Sequence, residues 1–199
     1  MSVSGNRKVK QSQVRIIGGQ WRGRKITFTA VDGLRPTGDR VRETLFNWLD
    51  AYLYDARCAD LFAGSGALGL EALSRGASYC DFVDSSSAVL AQVTDHLTNF
   101  DALDKGCCHC VSAQDFLRTA VVPYDIIFID PPFKLQMAEH VCNVLAHRQL
   151  LCDGALVYVE TGVNEPPYNV SPGWTLHREK VSGGVAYRLF VVSRTEDAH

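Results

Sequence analysis

The chain has 199 residues, of which 46% are hydrophobic, so it is long enough to bury one sizeable core. No apolar run approaches the roughly 18 residues of a membrane-spanning helix, and no apolar segment follows the first N-terminal charges, so we expect neither a membrane span nor a secretory signal. We therefore expect a cytoplasmic protein whose seven scattered cysteines are reduced thiols.

The net charge of −2 is unevenly distributed along the chain. Residues 1–42 hold ten Lys/Arg against two acids, a surplus of +8, so the remainder carries −10. A basic segment on an acidic body predicts contact with the phosphates of a polyanion. For residues 1–13 a solvated tail without a partner is an equal alternative, whereas basic residues interleaved with Trp21 and Phe28 favour nucleic-acid binding. The candidate contacts are Arg15, Arg22, Arg24, Lys25, Arg35 and Arg40.

The predicted elements begin after a flexible basic tail over residues 1–13. Residues 14–19 and 24–28 predict two strands joined by a glycine-containing turn, within a hairpin extension over residues 14–33. A helix is expected from about residue 40 to 51, because four apolar residues fall on one helical face: Val41, Leu45, Trp48 and Leu49.

Strands and helices then alternate. Strands are expected near 57–62, 79–84, 107–111, 125–129 and 155–160, and helices near 67–75, 87–99, 114–120 and 136–148. This alternation predicts a parallel sheet covered on both faces. Two further runs, 174–180 and 185–192, predict an antiparallel hairpin that completes one sheet edge.

A glycine-rich loop follows the first strand of this sheet. It contains Gly64-x-Gly66-x-x-Gly69, and glycine there lets the backbone turn sharply and approach a ligand closely. Asp84 ends the next strand, where a carboxylate can accept from ribose hydroxyls. The glycine spacing alone is also typical of a nicotinamide dinucleotide site. Asp60 favours S-adenosylmethionine instead, because this carboxylate can receive the methionine ammonium directly or through water.

The sequence Asp130-Pro131-Pro132-Phe133 ends another apolar strand. In open α/β sheets ligands bind beyond the carboxyl ends of the strands. A carboxylate and a carbonyl held in place by proline can accept hydrogen bonds from the two N–H groups of an amine, while the aromatic ring stacks on a planar base. These four residues therefore predict chemistry on the exocyclic amine of a base, which a nicotinamide oxidoreductase leaves unexplained.

The run Cys107-Cys108-His109-Cys110 raises the question of a metal site. Cys107 and Cys110 have zinc-knuckle spacing, but alternate residues of a strand face opposite sides and no second pair follows. We expect buried, reduced cysteines here and no metal site.

These motifs together resemble a known family. The glycine loop and Asp-Pro-Pro-Phe are similar to motifs of class I S-adenosylmethionine-dependent amino-methyltransferases. Three further segments resemble the bacterial 16S rRNA guanine-N2 methyltransferases of the RsmD type: IGGQWRGRK at 17–25, LRPTGDRVRETLFN at 34–47 and LHREK at 176–180. The likeness covers nearly the whole chain beyond residue 13.

The resemblance implies a fold, an activity and a set of site residues. The fold is a Rossmann-like α/β methyltransferase domain over residues 34–199, with a mostly parallel seven-stranded sheet and an antiparallel C-terminal hairpin. The activity is methylation of guanine N2 in the small ribosomal subunit or its assembly intermediate, by a monomer. S-adenosylmethionine is expected to contact Asp60, Phe62, Gly64, Gly66, Asp84, Ser112 and Ala113. The catalytic set is Asp130, Pro131, Pro132 and Phe133.

Two positions depart from the family pattern. Asp84 stands where Glu is common, and Ser112 stands where an acid often contacts adenine, so this contact can fall to Ser112, the Ala113 amide or Asp115. Three alternatives remain: an amino-methylase of another base such as adenine N6, a nicotinamide-dependent oxidoreductase, and a nucleic-acid-binding protein that has lost activity.

Overall fold

A computed structural model describes residues 11–29, 38–132, 137–165 and 170–193. The N-terminal hairpin consists of β1 (Gln11–Arg15) and β2 (Lys25–Thr29), which pair antiparallel. β1 starts inside the stretch 1–13 that was expected as a tail. Residues 1–10, Arg35 and Phe133 lie outside the described residues, so their predicted roles stay predictions.

The remaining elements alternate as expected. They are α1 (Asp39–Leu49), β3 (Arg57–Asp60), α2 (Ala67–Ser74), β4 (Tyr79–Asp84), α3 (Ser87–Asn99), β5 (Gly106–Cys110), α4 (Ala113–Thr119), β6 (Tyr124–Ile129), α5 (Met137–His147), β7 (Leu151–Gly162), β8 (Trp174–Ser182) and β9 (Val185–Val192). α1 ends two residues earlier than predicted, and a 3-10 turn, Asp50–Tyr52, continues it.

One seven-stranded sheet has the order β5-β4-β3-β6-β7-β9-β8. The pairs from β5 to β7 are parallel, while β9 pairs antiparallel with both β7 and β8. The predicted mostly parallel sheet with an antiparallel C-terminal hairpin is therefore confirmed. Strand β7 begins at Leu151, earlier than predicted, because Leu151 pairs with Tyr124 before an irregularity in the register with β6.

A hydrophobic cluster covers each face of the sheet. One cluster joins the hairpin with α1, α2 and α3, and includes Ile26, Phe46, Leu70 and Phe128. The other joins α4 and α5 to the opposite face. Burying one such side chain fully contributes about 1.5–3 kcal/mol, so both clusters hold the strands in fixed register. No described helix combines the length and hydrophobicity needed to cross a membrane.

The N-terminal hairpin is fixed to α2 by a buried carboxylate. Glu71 is fully buried and accepts hydrogen bonds from the backbone amides of Ile17 (2.7 Å) and Gly18 (2.8 Å), and from Nε of Arg75 (2.8 Å). Ser74 extends the contact, because its hydroxyl donates to the Gly18 carbonyl at 2.6 Å. The helix that begins at the glycine loop therefore also carries the hairpin.

Arg42 completes this buried network from α1. Its side chain is fully buried, with one guanidinium nitrogen 2.6 Å from Oδ1 of Asp39 and the other 3.7 Å from Oε2 of Glu71. It also donates to the Arg15 carbonyl at 3.0 Å. Arg42 is one of the ten basic residues in the N-terminal charge surplus, but its charge is compensated inside the fold and adds nothing to a phosphate-binding surface.

Candidate active site

Carboxylates stand at or near the carboxyl ends of four adjacent strands. Asp60 ends β3, Asp84 ends β4, Asp130 directly follows β6, and Glu160 lies in the last third of β7. Because these strands are parallel neighbours, all four acids belong to one edge of the sheet. This edge is where open α/β sheets bind ligands.

The glycine loop turns from β3 into α2 with backbone angles that favour glycine. Gly64 and Gly66 have φ values of 49° and 76°, in the left-handed region. A Cβ on Gly69 would stand 2.3 Å from a ring carbon of Phe82, so this glycine allows α2 to approach the sheet. The loop is closed by a 2.7 Å hydrogen bond from the Gly66 amide to the Ala63 carbonyl.

Asp60 holds a buried, partly unsatisfied carboxylate beneath this loop. Oδ2 accepts from the Gly69 amide at 3.1 Å, but Oδ1 has no hydrogen bond of good geometry among the described residues. Burial raises the pKa of Asp60 to about 7, and the charge of Asp84 adds to the rise, while the amides of Gly69 and Phe62 oppose it. An unsatisfied buried acceptor is costly, so a cation or donor at Oδ1 would stabilise the site.

Asp84 supports the loop from the neighbouring strand. Its Oδ2 accepts from the Gly64 amide at 3.1 Å and its Oδ1 from the Ser86 amide at 2.8 Å. A carboxylate has about four lone-pair sites, so each oxygen can still accept a further hydrogen bond. This geometry is compatible with the predicted role of Asp84 in accepting from ribose hydroxyls.

The candidate adenine contact lies at the start of α4. Ser112 caps this helix: its hydroxyl accepts from the Asp115 amide at 3.1 Å and donates to Oδ2 of Asp115 at 2.7 Å. Arg118 pairs with the same carboxylate at 3.0 Å. Ser112 and Asp115 are thus engaged with each other, which leaves the amide of the buried Ala113 as a further candidate. Phe62, half-buried, packs against the hydrophobic cluster on the same face of the sheet.

Asp130 is half-buried where β6 ends, with Pro131 buried and Pro132 exposed. The sequence-based reasoning missed two neighbours on β7. The hydroxyl of Tyr158 donates to Oε1 of the buried Glu160 at 2.6 Å. Burial raises the pKa of Tyr158 well above its usual value, and the charges of Glu160 and Asp130 raise it further. Ile129 is in register with Val159, so Asp130 follows β6 beside the part of β7 that holds this pair. The sequence pattern could have identified Glu160, because it is an acidic residue near the end of a run predicted to be a buried strand.

The predicted RNA-contacting residues differ in the contacts that they make within the protein. Arg24 donates to the Asn99 carbonyl at 2.6 Å and lies 4.2 Å above the ring of Phe100. Arg15 donates to the Gly23 carbonyl at 3.2 Å. The others within the described residues, Arg22, Lys25 and Arg40, are exposed.

The cysteine run is only partly as expected. All seven cysteines are free thiols, as predicted. The expectation of burial is wrong for Cys107 and Cys110, which are exposed, while Cys108 is half-buried. The reason is that β5 is an edge strand of the sheet, with a neighbour on one side only.

Comparison with known proteins places this arrangement among methyltransferases. A family model described as "Conserved hypothetical protein 95" matches residues 14–191. The chain is 49% identical over 180 residues to "Ribosomal RNA small subunit methyltransferase D" of Escherichia coli K12, covering 89% of each chain. The solved structure "Putative methyltransferase yhhF from Escherichia coli" has a TM-score of 0.85 and 48% identity, over 92% of this chain and all of that one.

A more distant solved structure shares the fold at 16% identity. It has a TM-score of 0.69 over 84% of this chain and 53% of its own, and it is described as "a putative methyltransferase complexed with SAH".

Proposed function

The chain belongs to the ribosomal RNA small subunit methyltransferase D family, and from this premise we propose that it transfers a methyl group to the exocyclic N2 of a guanine in 16S rRNA. One observation carries the proposal. The buried, unsatisfied Oδ1 of Asp60 lies beneath a glycine loop, and Asp130-Pro131-Pro132 directly follows β6, the strand next to β3. This arrangement supports a proposed site for an ammonium-bearing nucleoside next to a proposed site for an amine.

We assign S-adenosylmethionine as the methyl donor. The residues that would hold it are Asp60 and Phe62, the loop glycines 64 and 66, Asp84, and the Ser112–Ala113 cap. The orphaned oxygen of Asp60 suits the methionine ammonium, because a cation compensates a buried carboxylate far better than a neutral donor. When bound, this cofactor supplies an electrophilic methyl group on its sulfonium.

The amine side of the site activates a weak nucleophile. The lone pair of guanine N2 is delocalised into the ring. Asp130 and the Pro131 carbonyl accept hydrogen bonds from the two N2–H groups and favour a pyramidal nitrogen whose lone pair points at the methyl group. The bound cofactor would supply its methyl group to this lone pair, and Asp130 or water would take up the proton that the nitrogen then releases. Phe133 is proposed to stack on the base and fix its plane.

Tyr158 and Glu160 support this assignment from β7. Their hydrogen bond is 2.6 Å long, with Glu160 as the acceptor. We propose that this pair helps to orient the half-buried Asp130, because Ile129 and Val159 are in register directly before Asp130 and Glu160. We propose that methyl transfer itself uses no metal ion.

We propose the small ribosomal subunit or its assembly intermediate as the substrate, in the cytoplasm, with the protein acting as a monomer. The N-terminal hairpin of β1 and β2 has the exposed basic residues Arg22 and Lys25, and Arg40 is exposed at the start of α1. The fold supplies no separate large recognition domain within the described residues. The hairpin then selects the substrate by recognising the shape of the RNA or ribonucleoprotein.

Replacement of Asp130 tests the chemical assignment. Asp130→Ala should nearly abolish turnover and leave the dissociation constant of S-adenosylmethionine largely unchanged, because the residue contacts the base and not the cofactor. Asp130→Asn retains size and one acceptor, so partial turnover is expected. Parallel loss of cofactor binding and turnover in both variants would contradict the assigned role. Methylated adenine as the product would favour the alternative amino-methylase.

A further inference from the structure

A group of metal-ligating side chains lies away from the methyl-transfer site. Asp81 belongs to β4, and Cys107 and His109 belong to the neighbouring edge strand β5. Asp81 pairs with Cys107 in register, and His109 is two residues further along β5 on the same face. The carboxylate oxygen, the thiol sulfur and the imidazole nitrogen all lie within 4.8 Å of one another. Among the described residues this is the one group of its kind.

Asp81 is already oriented by other side chains. Its Oδ2 accepts from the Arg57 guanidinium at 2.8 Å and from the Tyr124 hydroxyl at 2.9 Å. These donors fix the carboxylate and leave Oδ1 directed at the ring of His109, whose Nε2 lies 2.7 Å away. A ligand held by outer hydrogen bonds in this way is typical of metal sites in proteins.

We propose that Asp81, Cys107 and His109 bind a zinc ion at the edge of the sheet. Thiolate, imidazole and carboxylate are the three ligand types that zinc uses, and water can complete a tetrahedron. Donor atoms about 2.0–2.3 Å from a shared ion are separated by about 3.3–3.7 Å, so the His109–Asp81 pair needs to open by less than about 1 Å. Arg57 can keep its hydrogen bond to the other oxygen of Asp81, while the Cys107 thiolate supplies further negative charge to the ion.

This site differs from the zinc-knuckle pattern considered from the sequence. That pattern paired Cys107 with Cys110, but the Cys110 thiol faces the Ser85 carbonyl at 3.8 Å and Cys108 faces the Thr94 hydroxyl at 3.5 Å. The pairing that the strand allows is Cys107 with His109, two residues apart. The third ligand comes from a neighbouring strand and was not visible in the local sequence.

The proposed ion clips the edge strand β5 to β4. Edge strands have only one neighbour for backbone hydrogen bonds, and a metal bridge adds a second connection through side chains. The site stands before the carboxyl ends of both strands, because Asp81 precedes Asp84 and Cys107 precedes Cys110. Zinc binding at this site can therefore be measured independently of cofactor binding.

Metal titration of the full chain, treated first with a chelator, tests the proposal. We expect one equivalent of Zn²⁺ to bind, and Co²⁺ to produce a thiolate charge-transfer band in the near ultraviolet with intense visible bands of a tetrahedral site. Cys107→Ser should weaken Zn²⁺ binding by about a hundredfold and remove the charge-transfer band. Cys110→Ser is the matched control, an exposed cysteine on the opposite face of the same strand, and should bind as the parent chain does.

His109→Gln provides a second variant and should retain the thiolate band at reduced affinity. Circular dichroism and thermal melts of each variant without metal establish that loss of binding is not loss of the fold. Equal loss in the Cys107 and Cys110 variants, or no thiolate band in the parent chain, would overturn the proposal.

Discussion

Cofactor affinity should depend on pH through Asp60. The pKa of this carboxyl is about 7 in the free protein, chiefly because of burial. The proposed methionine ammonium binds the ionised form, so ligand binding below this pKa must first release a proton. The apparent dissociation constant is then inversely proportional to the fraction of Asp60 that is ionised. It should rise tenfold for each pH unit well below the pKa.

The size of the effect follows directly from this value. For a pKa of about 7 the apparent dissociation constant rises roughly 25-fold between about pH 7.5 and about pH 5.5. Titration calorimetry with S-adenosylhomocysteine measures this change, because its amino group stays charged across the range. The same titrations should show uptake of close to one proton by the buffer at the lower pH.

Two variants isolate the source of the pH dependence. Asp60→Asn cannot ionise and should bind weakly with a nearly flat profile. Asp84→Asn removes the proposed acceptor of the ribose hydroxyls and should also bind S-adenosylhomocysteine weakly. Its dissociation constant should still rise tenfold per pH unit at low pH, but the rise should begin at a lower pH, because loss of the Asp84 charge lowers the pKa of Asp60. A flat profile in the parent chain, or the same slope in Asp60→Asn, would refute this role for Asp60.

Three further predictions concern the rest of the molecule. Arg22→Ala combined with Lys25→Ala should weaken RNA binding and reduce its salt slope by about one for each phosphate that is no longer neutralised, and an unchanged slope would place the RNA surface elsewhere. Glu71→Ala should lower the free energy of unfolding in denaturant by about 3–5 kcal/mol, because it removes the acceptor of the Ile17 and Gly18 amides and one of the two carboxylates beside the buried Arg42. A decrease below about 1 kcal/mol would contradict the buried network. Since folding raises the pKa of Asp60, its contribution to stability is lost as pH rises towards about 7, so Asp60→Asn should raise Tm above the parent value at about pH 8 and less at about pH 5.

The order of elements could be predicted because the sequence patterns are local. Apolar runs of strand length, a glycine loop and terminal acids locate β3, β4 and β6, and glycine-containing turns locate both hairpins. The start of β7 could not be predicted in this way. Its first residues include Asp153 and Gly154, which interrupt the apolar run, and the strand begins at Leu151 because this residue pairs with Tyr124 of β6.

Contacts between distant segments account for what the sequence left undetermined. In the sequence Arg42 belongs to a basic segment, but in the fold it is buried beside Glu71, which lies 29 positions later in the chain. Cys107 looks like half of a knuckle with Cys110, whereas its ligand-spaced neighbours are His109 and Asp81. Local sequence shows which groups are available for chemistry, and the sheet order decides which of them meet.

Methyl transfer from labelled S-adenosylmethionine tests the central claim most directly. The acceptors are unmodified small ribosomal subunits, naked 16S rRNA and duplex DNA, with nucleoside analysis of each product and Asp130→Ala as the matched inactive variant. We expect N2-methylguanosine from subunits or their RNA, and none with the variant. Label in DNA adenine, or no transfer to any acceptor despite cofactor binding, would contradict the account.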